Sequence, residues 1–88
     1  MTYRLTRLAK SDLKAIYRYT VEYFGEGQAQ EYLDGLYYSF DLLLDNPELG
    51  RVWDGQKRRY VYKSHLVYYR IIKDKIVITH IRSGRQKP

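Results

Sequence analysis

The fold is decided by residues 60–82, YVYKSHLVYYRIIKDKIVITHIR, which run from Tyr60 to Arg82. Three runs rich in Val, Ile, Tyr and Thr are separated by two polar breaks, Lys-Ser-His and Lys-Asp-Lys. β-Branched and aromatic residues suit a pleated surface, and short polar breaks suit hairpin loops. The pattern predicts a three-stranded antiparallel meander.

The middle strand, Leu66–Ile72, is apolar on both faces. Side chains alternate along a strand, so its odd-numbered residues are predicted to face one side and its even-numbered residues, Arg70 among them, the other. A strand with two apolar faces needs a cover on each face. The rest of the chain must therefore supply one cover or both.

Two amphipathic helices are predicted upstream of the meander. Tyr3–Leu8 is interpreted as a first strand, and helices are predicted over Ala9–Phe24 and about Gln28–Leu44, with Gly25 ending the first and Asn46 the second. The apolar stripes are Ala9, Leu13, Ile16, Tyr17, Thr20 and Phe24, and Ala29, Leu33, Leu36, Tyr37, Phe40, Leu43 and Leu44.

These elements predict one α+β domain over residues 1–88. Its fold is an antiparallel helical hairpin packed on one face of a small, mainly antiparallel β-sheet, in the order β-α-α-β-β-β. Thr6 is the expected cap of the first helix. Glu48–Gln56 is predicted as a loop whose Trp53 covers the core. The second sheet face is left without a cover from this chain.

Positive charge is concentrated in the second half of the chain. Residues 1–50 carry five Lys/Arg and eight Asp/Glu, a net charge of −3, whereas residues 51–88 carry eleven and two, a net charge of +9. The sheet is therefore expected to attract nucleic acid or an acidic protein segment. The 11 tyrosines suit half-buried surfaces and interfaces, because each pairs an apolar ring with a polar tip.

Several function classes receive no support from the sequence. The chain has no cysteine, and it shows no Gly-rich phosphate loop, no metal-ligand spacing and no apolar run near the roughly 20 residues of a membrane span. Met1 begins a segment without the apolar core of a signal peptide. We expect a cytoplasmic protein with no cofactor, no metal and no membrane partner.

Two histidines are the only side chains that titrate near neutral pH without help. His65 is predicted at the first hairpin of the meander and His80 on its third strand. His80, Arg70 and Tyr68 on one strand face could cleave RNA, with a base for the 2′-hydroxyl proton and a cation for the phosphate. A polar patch that faces a partner is the other interpretation.

The chain resembles the ParE branch of the RelE/ParE toxin superfamily over nearly its whole length. The first helix, a Gln-Ala-x-x-Tyr-Leu segment and a Pro-x-x-Gly-Arg loop follow one another as in that branch. The residues concerned are Asp12-Leu13, Ile16, Tyr19-Thr20, Gly25, Gln28-Ala29, Tyr32-Leu33, Leu36, Asn46-Pro47-Glu48-Leu49-Gly50-Arg51, His65-Leu66-Val67-Tyr68-Tyr69-Arg70-Ile71 and Ile78 to Arg82.

The resemblance implies a type II toxin that traps DNA gyrase on DNA, with indirect DNA contact, and a ParD-like antitoxin that folds on binding. It implies no catalytic site. The antitoxin-binding candidates are Tyr60, Tyr62, Tyr68, Arg70, Ile78 and His80. The target-contact candidates are Arg58, Arg59, Arg82, Arg85 and Lys87.

Two alternatives stay open. The first is a RelE-like mRNA endoribonuclease, a member of the sister branch. Those enzymes carry a basic residue where this chain has Leu66, and they use a Tyr or His near the end of a longer tail; here no Tyr or His follows His80. The second is a non-toxic module that binds an antitoxin.

Overall fold

A computed structural model describes residues 2–84 and shows two helices packed on one mixed sheet. The elements are β1 (Thr2–Leu5), α1 (Arg7–Phe24), α2 (Glu26–Asp45), β2 (Arg51–Asp54), β3 (Lys57–Tyr62), β4 (His65–Ile72) and β5 (Lys75–Ser83). The predicted α+β class and the meander are confirmed. The predicted loop over 48–56 was wrong in part, because residues 51–54 form the extra strand β2.

Local chemistry sets the ends of the helices. Thr6 caps α1 as predicted, since its hydroxyl oxygen accepts a hydrogen bond from the Ala9 amide at 3.1 Å. Gly25 separates α1 from α2 at φ 91°, a conformation that favours glycine. α2 begins at Glu26, two residues earlier than predicted, and ends before Asn46. The single-residue junction forces the helices into an antiparallel pair.

The inner stripes of the helices form the core with one sheet face. The core includes Leu36, Phe40, Leu43 and Tyr69, each fully buried. The predicted stripes were too wide: Tyr17, Tyr37 and Phe24 are 37%, 41% and 61% exposed, because they lie at the edges of the face that packs.

The five strands lie in the order β1-β5-β4-β3-β2, and β1 runs parallel to its neighbour β5. The other neighbouring strands pair antiparallel. Two-residue turns join β3 to β4 and β4 to β5, with Lys63 and Lys73 at φ 50° and 54°. These turns fix the register, and the register decides which residues face the helices.

A β-bulge at Thr79 reverses the alternation along β5. Tyr69 pairs with Ile78 and Tyr68 with His80, so Thr79 is the extra residue. Ile78 before the bulge and Ile81 after it both face the core, and His80 is turned to the other side.

Helix α1 ties down both sides of this bulge. The Thr6 hydroxyl donates to the Thr79 carbonyl at 2.7 Å, and the Asp12 carboxylate accepts from the Ile81 amide at 2.8 Å. The bulge is thereby held by side-chain hydrogen bonds where the strand ladder is interrupted.

Candidate functional site

The sheet face turned away from the helices, called the open face below, gathers cations and aromatic rings. Its members follow from the register of β3, β4 and β5. They include Lys57, Arg59, Val61, Leu66, Tyr68, Arg70, Ile72, Val77, His80 and Arg82.

Three aromatic rings form a row on the open face. The ring centroids of Tyr68 and His80 are 4.4 Å apart and their planes differ by 16°, a stacked pair. Trp53 meets Tyr68 edge to face, with centroids 6.0 Å apart. The Arg59 guanidinium lies over the Trp53 ring at 4.3 Å from its centroid, a cation–π contact. Tyr68 is only 8% exposed at the centre of the row, whereas Trp53 at one end is 51% exposed.

Hydrogen bonds assign the tautomer of His80. The Thr79 hydroxyl lies 3.2 Å from the Tyr68 carbonyl and must donate to it, because a carbonyl only accepts. The Thr79 oxygen is then left to accept from His80 Nδ1, also 3.2 Å away. His80 therefore carries its proton on Nδ1, and Nε2 is the hydrogen-bond acceptor of the ring.

The surroundings of His80 favour its neutral form. Burial lowers the pKa of His80, and the positive charges of Arg82 and Lys57 lower it further, while Asp12 opposes them. The ring is therefore uncharged at neutral pH. It offers a flat apolar face and one acceptor nitrogen among cations.

A groove of about 630 Å³ lies between α1, the start of α2 and the ends of β4 and β5. Its lining includes Tyr19, Phe24, Tyr32 and His65, and Tyr19 and Phe24 are 59% and 61% exposed. The Tyr32 hydroxyl and His65 Nδ1 are 2.7 Å apart. Burial lowers the pKa of His65 and raises that of Tyr32, so the pair is neutral at pH 7. His65 is the first residue of β4, directly after the hairpin turn.

Two side chains of the sheet hydrogen-bond to backbone groups of the loop after α2. The Tyr69 hydroxyl accepts from the Gly50 amide at 2.8 Å and donates to the Pro47 carbonyl at 2.6 Å. The Arg58 guanidinium donates to the Gly50 carbonyl at 2.7 Å and to the Glu48 carbonyl at 3.4 Å. A Cβ at position 50 would lie 2.6 Å from the Tyr69 hydroxyl oxygen, so this approach requires glycine.

Comparison with known proteins assigns this chain to a family. The family model described as the ParE toxin of the type II toxin-antitoxin system parDE matches residues 3–88. The chain belongs to the ParE toxin family. It is 33% identical to Toxin ParE1 of Caulobacter vibrioides, over 78% of this chain and 75% of that protein. It is 32% identical to Toxin ParE1 of Mycobacterium tuberculosis, over 78% and 74% respectively.

A solved structure shares the ParE fold seen here. It is described as a chromosomal ParDE TA system from P. aeruginosa and superposes with a TM-score of 0.84. The match covers 94% of this chain and 95% of that one at 24% sequence identity. The family resemblance inferred from the sequence is confirmed by the family model and by the two Toxin ParE1 relatives.

Three of the predicted antitoxin-binding residues of this ParE-family chain lie on the wrong face for a surface opposite the helices. The β3–β4 turn sets Tyr62 opposite His65 and Tyr60 opposite Val67, so both tyrosines face the helices and pack on the core. Ile78 is fully buried, because the bulge places it and His80 on opposite faces. In a strand without a bulge, residues 78 and 80 would lie on the same face, and the sequence prediction assumed such a strand.

The other three candidates, Tyr68, Arg70 and His80, lie together on the open face. Tyr68 was expected to contact the antitoxin directly, but its ring is covered by Trp53 and His80 and supports them. The Arg70 guanidinium donates to Gln56 Oε1 at 3.2 Å and remains half-buried.

The predicted target-contact residues divide into three groups. Arg59 and Arg82 lie on the open face. Arg58 does not, because its guanidinium is bonded to loop carbonyls on the helix side. Arg85 and Lys87 lie outside the described residues.

Sequence reasoning missed the roles of two residues, Trp53 on the open face and Gly35 in the helical layer. Trp53 was expected over the core but contacts the open face, because the register of β2 is shifted between Val52 and Asp54. Gly35, inside α2, was not recognised as a position with a structural role. The Tyr62 hydroxyl occupies the space that a Cβ at Gly35 would need. A glycine inside an otherwise regular helix was the available signal.

The described residues were compared with the requirements of a metal site and of a membrane-spanning helix. Within residues 2–84, no group of three or more His, Cys, Asp or Glu is placed to hold a metal ion. None of the helices in that range combines the length and the apolar character needed to cross a bilayer.

Proposed function

We propose that this ParE-family toxin acts on DNA gyrase and is neutralised by a ParD-like antitoxin. The observation that carries the proposal is the family match over residues 3–88, together with a fold shared with a ParDE system. The uneven charge supports it, since residues 51–88 carry a net charge of +9 and gyrase works on a polyanion.

The open face is the surface that we propose for target contact. Arg59 and Arg82 lie on it, and Arg85 and Lys87 follow β5 in the sequence. Arg58 is withdrawn from this set, because its hydrogen bonds to Glu48 and Gly50 occupy its guanidinium.

An antitoxin that covers the same face would neutralise the toxin by occlusion. Arg70 shares the face with Arg59 and Arg82, so one acidic segment could pair with all three arginines while it covers the neutral His80 ring. The groove rimmed by Tyr19 and Phe24 offers a second, apolar surface for the same antitoxin chain. Coupled folding of such a segment allows it to wrap both surfaces.

A gyrase assay with purified protein tests the proposal. We expect inhibited supercoiling or accumulation of cleaved DNA complexes. Arg59→Ala with Arg82→Ala should weaken this effect, whereas the exposed helix cation Lys14 should tolerate alanine. Supercoiling at the control rate with no cleaved DNA would contradict the target.

The RelE-like alternative has one specific observation in its favour. His80 is neutral, has an acceptor nitrogen and lies among cations, which is what a general base for RNA requires. Site-specific cuts in mRNA that vanish in His80→Gln, with gyrase unaffected, would establish that activity instead. A folded protein that binds the antitoxin with neither activity would be a non-toxic module.

A further inference from the structure

The row Trp53, Tyr68 and His80 combines flat aromatic surfaces with flanking positive charge. Two of its rings are stacked and the third carries a guanidinium over its face. Trp53 at one end of the row is 51% exposed, and His80 at the other end is half-buried. We propose that the open face binds single-stranded nucleic acid, with unpaired bases stacked on Trp53 and His80 and the backbone held by the flanking cations.

Geometry and charge support this occupant over a generic polyanion. Aromatic rings that stack on bases, combined with a positively charged surface along the backbone, are the features of sequence-tolerant single-strand binding. Lys57, Arg59, Arg70 and Arg82 share the face with the rings. The cations alone would attract any acidic partner, but an acidic peptide has no base to stack on Trp53.

His80 is suited to its place in the row. Its stack on Tyr68 and the Thr79 bond hold the ring in a fixed orientation. Nε2 is then a fixed acceptor at the edge of the ring. An unpaired base carries N–H donors that a duplex keeps in its base pairs, so a single strand is the form that this edge can recognise.

Trp53 makes the proposal directly measurable, because it is the only tryptophan of the 88 residues and is 51% exposed. Purified toxin is titrated with a thymidine oligonucleotide of about 12 nucleotides, and Trp53 fluorescence is followed. Parallel titrations use the matching duplex, inorganic polyphosphate and a polyglutamate peptide. We expect strong quenching with the single strand only.

Binding of a labelled single strand, followed by anisotropy, isolates the rings. Trp53→Ala and His80→Ala should each weaken binding by about tenfold, the range for loss of one stacking partner. Tyr38→Ala is the matched control, since Tyr38 is 64% exposed on α2, away from this face. Trp53→Leu keeps an apolar side chain on the edge strand but removes the aromatic ring. Its affinity should therefore also be lower than that of the parent protein. Affinity should fall as salt is raised, because cations hold the backbone.

Three results would overturn the proposal. Equal quenching by polyphosphate or polyglutamate would show that the face responds to charge alone. Equal binding of duplex would show that stacking plays no part. Wild-type affinity in folded Trp53→Ala and Trp53→Leu, with far-UV circular dichroism as the folding check, would place the site elsewhere. None of these measurements contains gyrase, so they stand or fall independently of the proposed target.

Discussion

Replacement of Tyr69 by Phe should release the loop after α2. Tyr69 is fully buried, and burial raises the pKa of its hydroxyl, which therefore stays protonated and able to donate. The hydroxyl makes two hydrogen bonds, to the Gly50 amide at 2.8 Å and the Pro47 carbonyl at 2.6 Å. Phenylalanine keeps the ring and removes both bonds, so the change tests the hydroxyl alone.

The expected cost follows from the partners that Tyr69→Phe leaves behind. An unsatisfied buried amide costs about 1–3 kcal/mol, and the less buried Pro47 carbonyl adds about 0.5–1 kcal/mol. The total of about 1.5–4 kcal/mol should lower the melting temperature by roughly 6–30 °C in a domain of this size. Urea unfolding should give the same loss with an unchanged slope, since the unfolded chains expose nearly equal surface.

Tyr60→Phe is the matched control for this experiment. Tyr60 packs on the same core face from β3, and within residues 2–84 its hydroxyl makes no hydrogen bond. It should melt within a few degrees of the parent protein. If Tyr69→Phe and Tyr60→Phe melt at the same temperature, and hydrogen exchange at Gly50 is as slow as in the parent, the Tyr69 hydroxyl does not hold the loop after α2.

Three further outcomes are expected. Gly35→Ala should destabilise the fold, because the added methyl displaces the Tyr62 hydroxyl; thermal melting with Gly27→Ala as an open-space control measures this. Burial lowers the pKa of His65 in the folded protein, so folding favours the neutral ring. The resulting contribution to the free energy of unfolding is complete above the ordinary histidine pKa of about 6.5. It is lost as the pH falls below that value toward the pKa of the folded state. Melting temperatures between about pH 7.5 and 5.5 should decline less steeply in His65→Gln. Tyr68→Ala should weaken antitoxin binding more than Lys63→Ala in calorimetric titration, since it removes support from the open-face rings.

The helices and the core strands were predictable because their signals are local. Spacings of three and four residues place Leu13, Leu33 and Leu36 on inner faces, and a single glycine at position 25 separates the helices. The apolar run of residues 66–72, interrupted only by Arg70, predicted a buried central strand, and β4 is that strand. These inferences use only neighbours within about two turns of chain.

The site was less predictable because it depends on register. A two-residue turn at Lys63-Ser64 moved Tyr60 and Tyr62 to the helix side, and one extra residue at Thr79 separated Ile78 from His80. A slip of one residue exchanges the faces of a strand, and apolar residues on both faces gave the pattern no preference. Strand β2 is short and exposed at a sheet edge, so it lacked the alternation that marks a half-buried strand.

The bulge at Thr79 links the helical layer to the open face. Thr6 caps α1 and donates a hydrogen bond to the Thr79 carbonyl, while the Asp12 carboxylate, within α1, accepts one from the Ile81 amide. These two bonds give hydrogen-bond partners to a carbonyl and an amide beside the extra residue, so two backbone groups of the bulged segment are satisfied. The result is that Ile78 and Ile81 both pack on the core while His80, between them, faces outward beside Tyr68. Thr6 and Asp12, which lie on the helix side of the sheet and do not touch the open face, therefore help to set the position of His80 in the aromatic row.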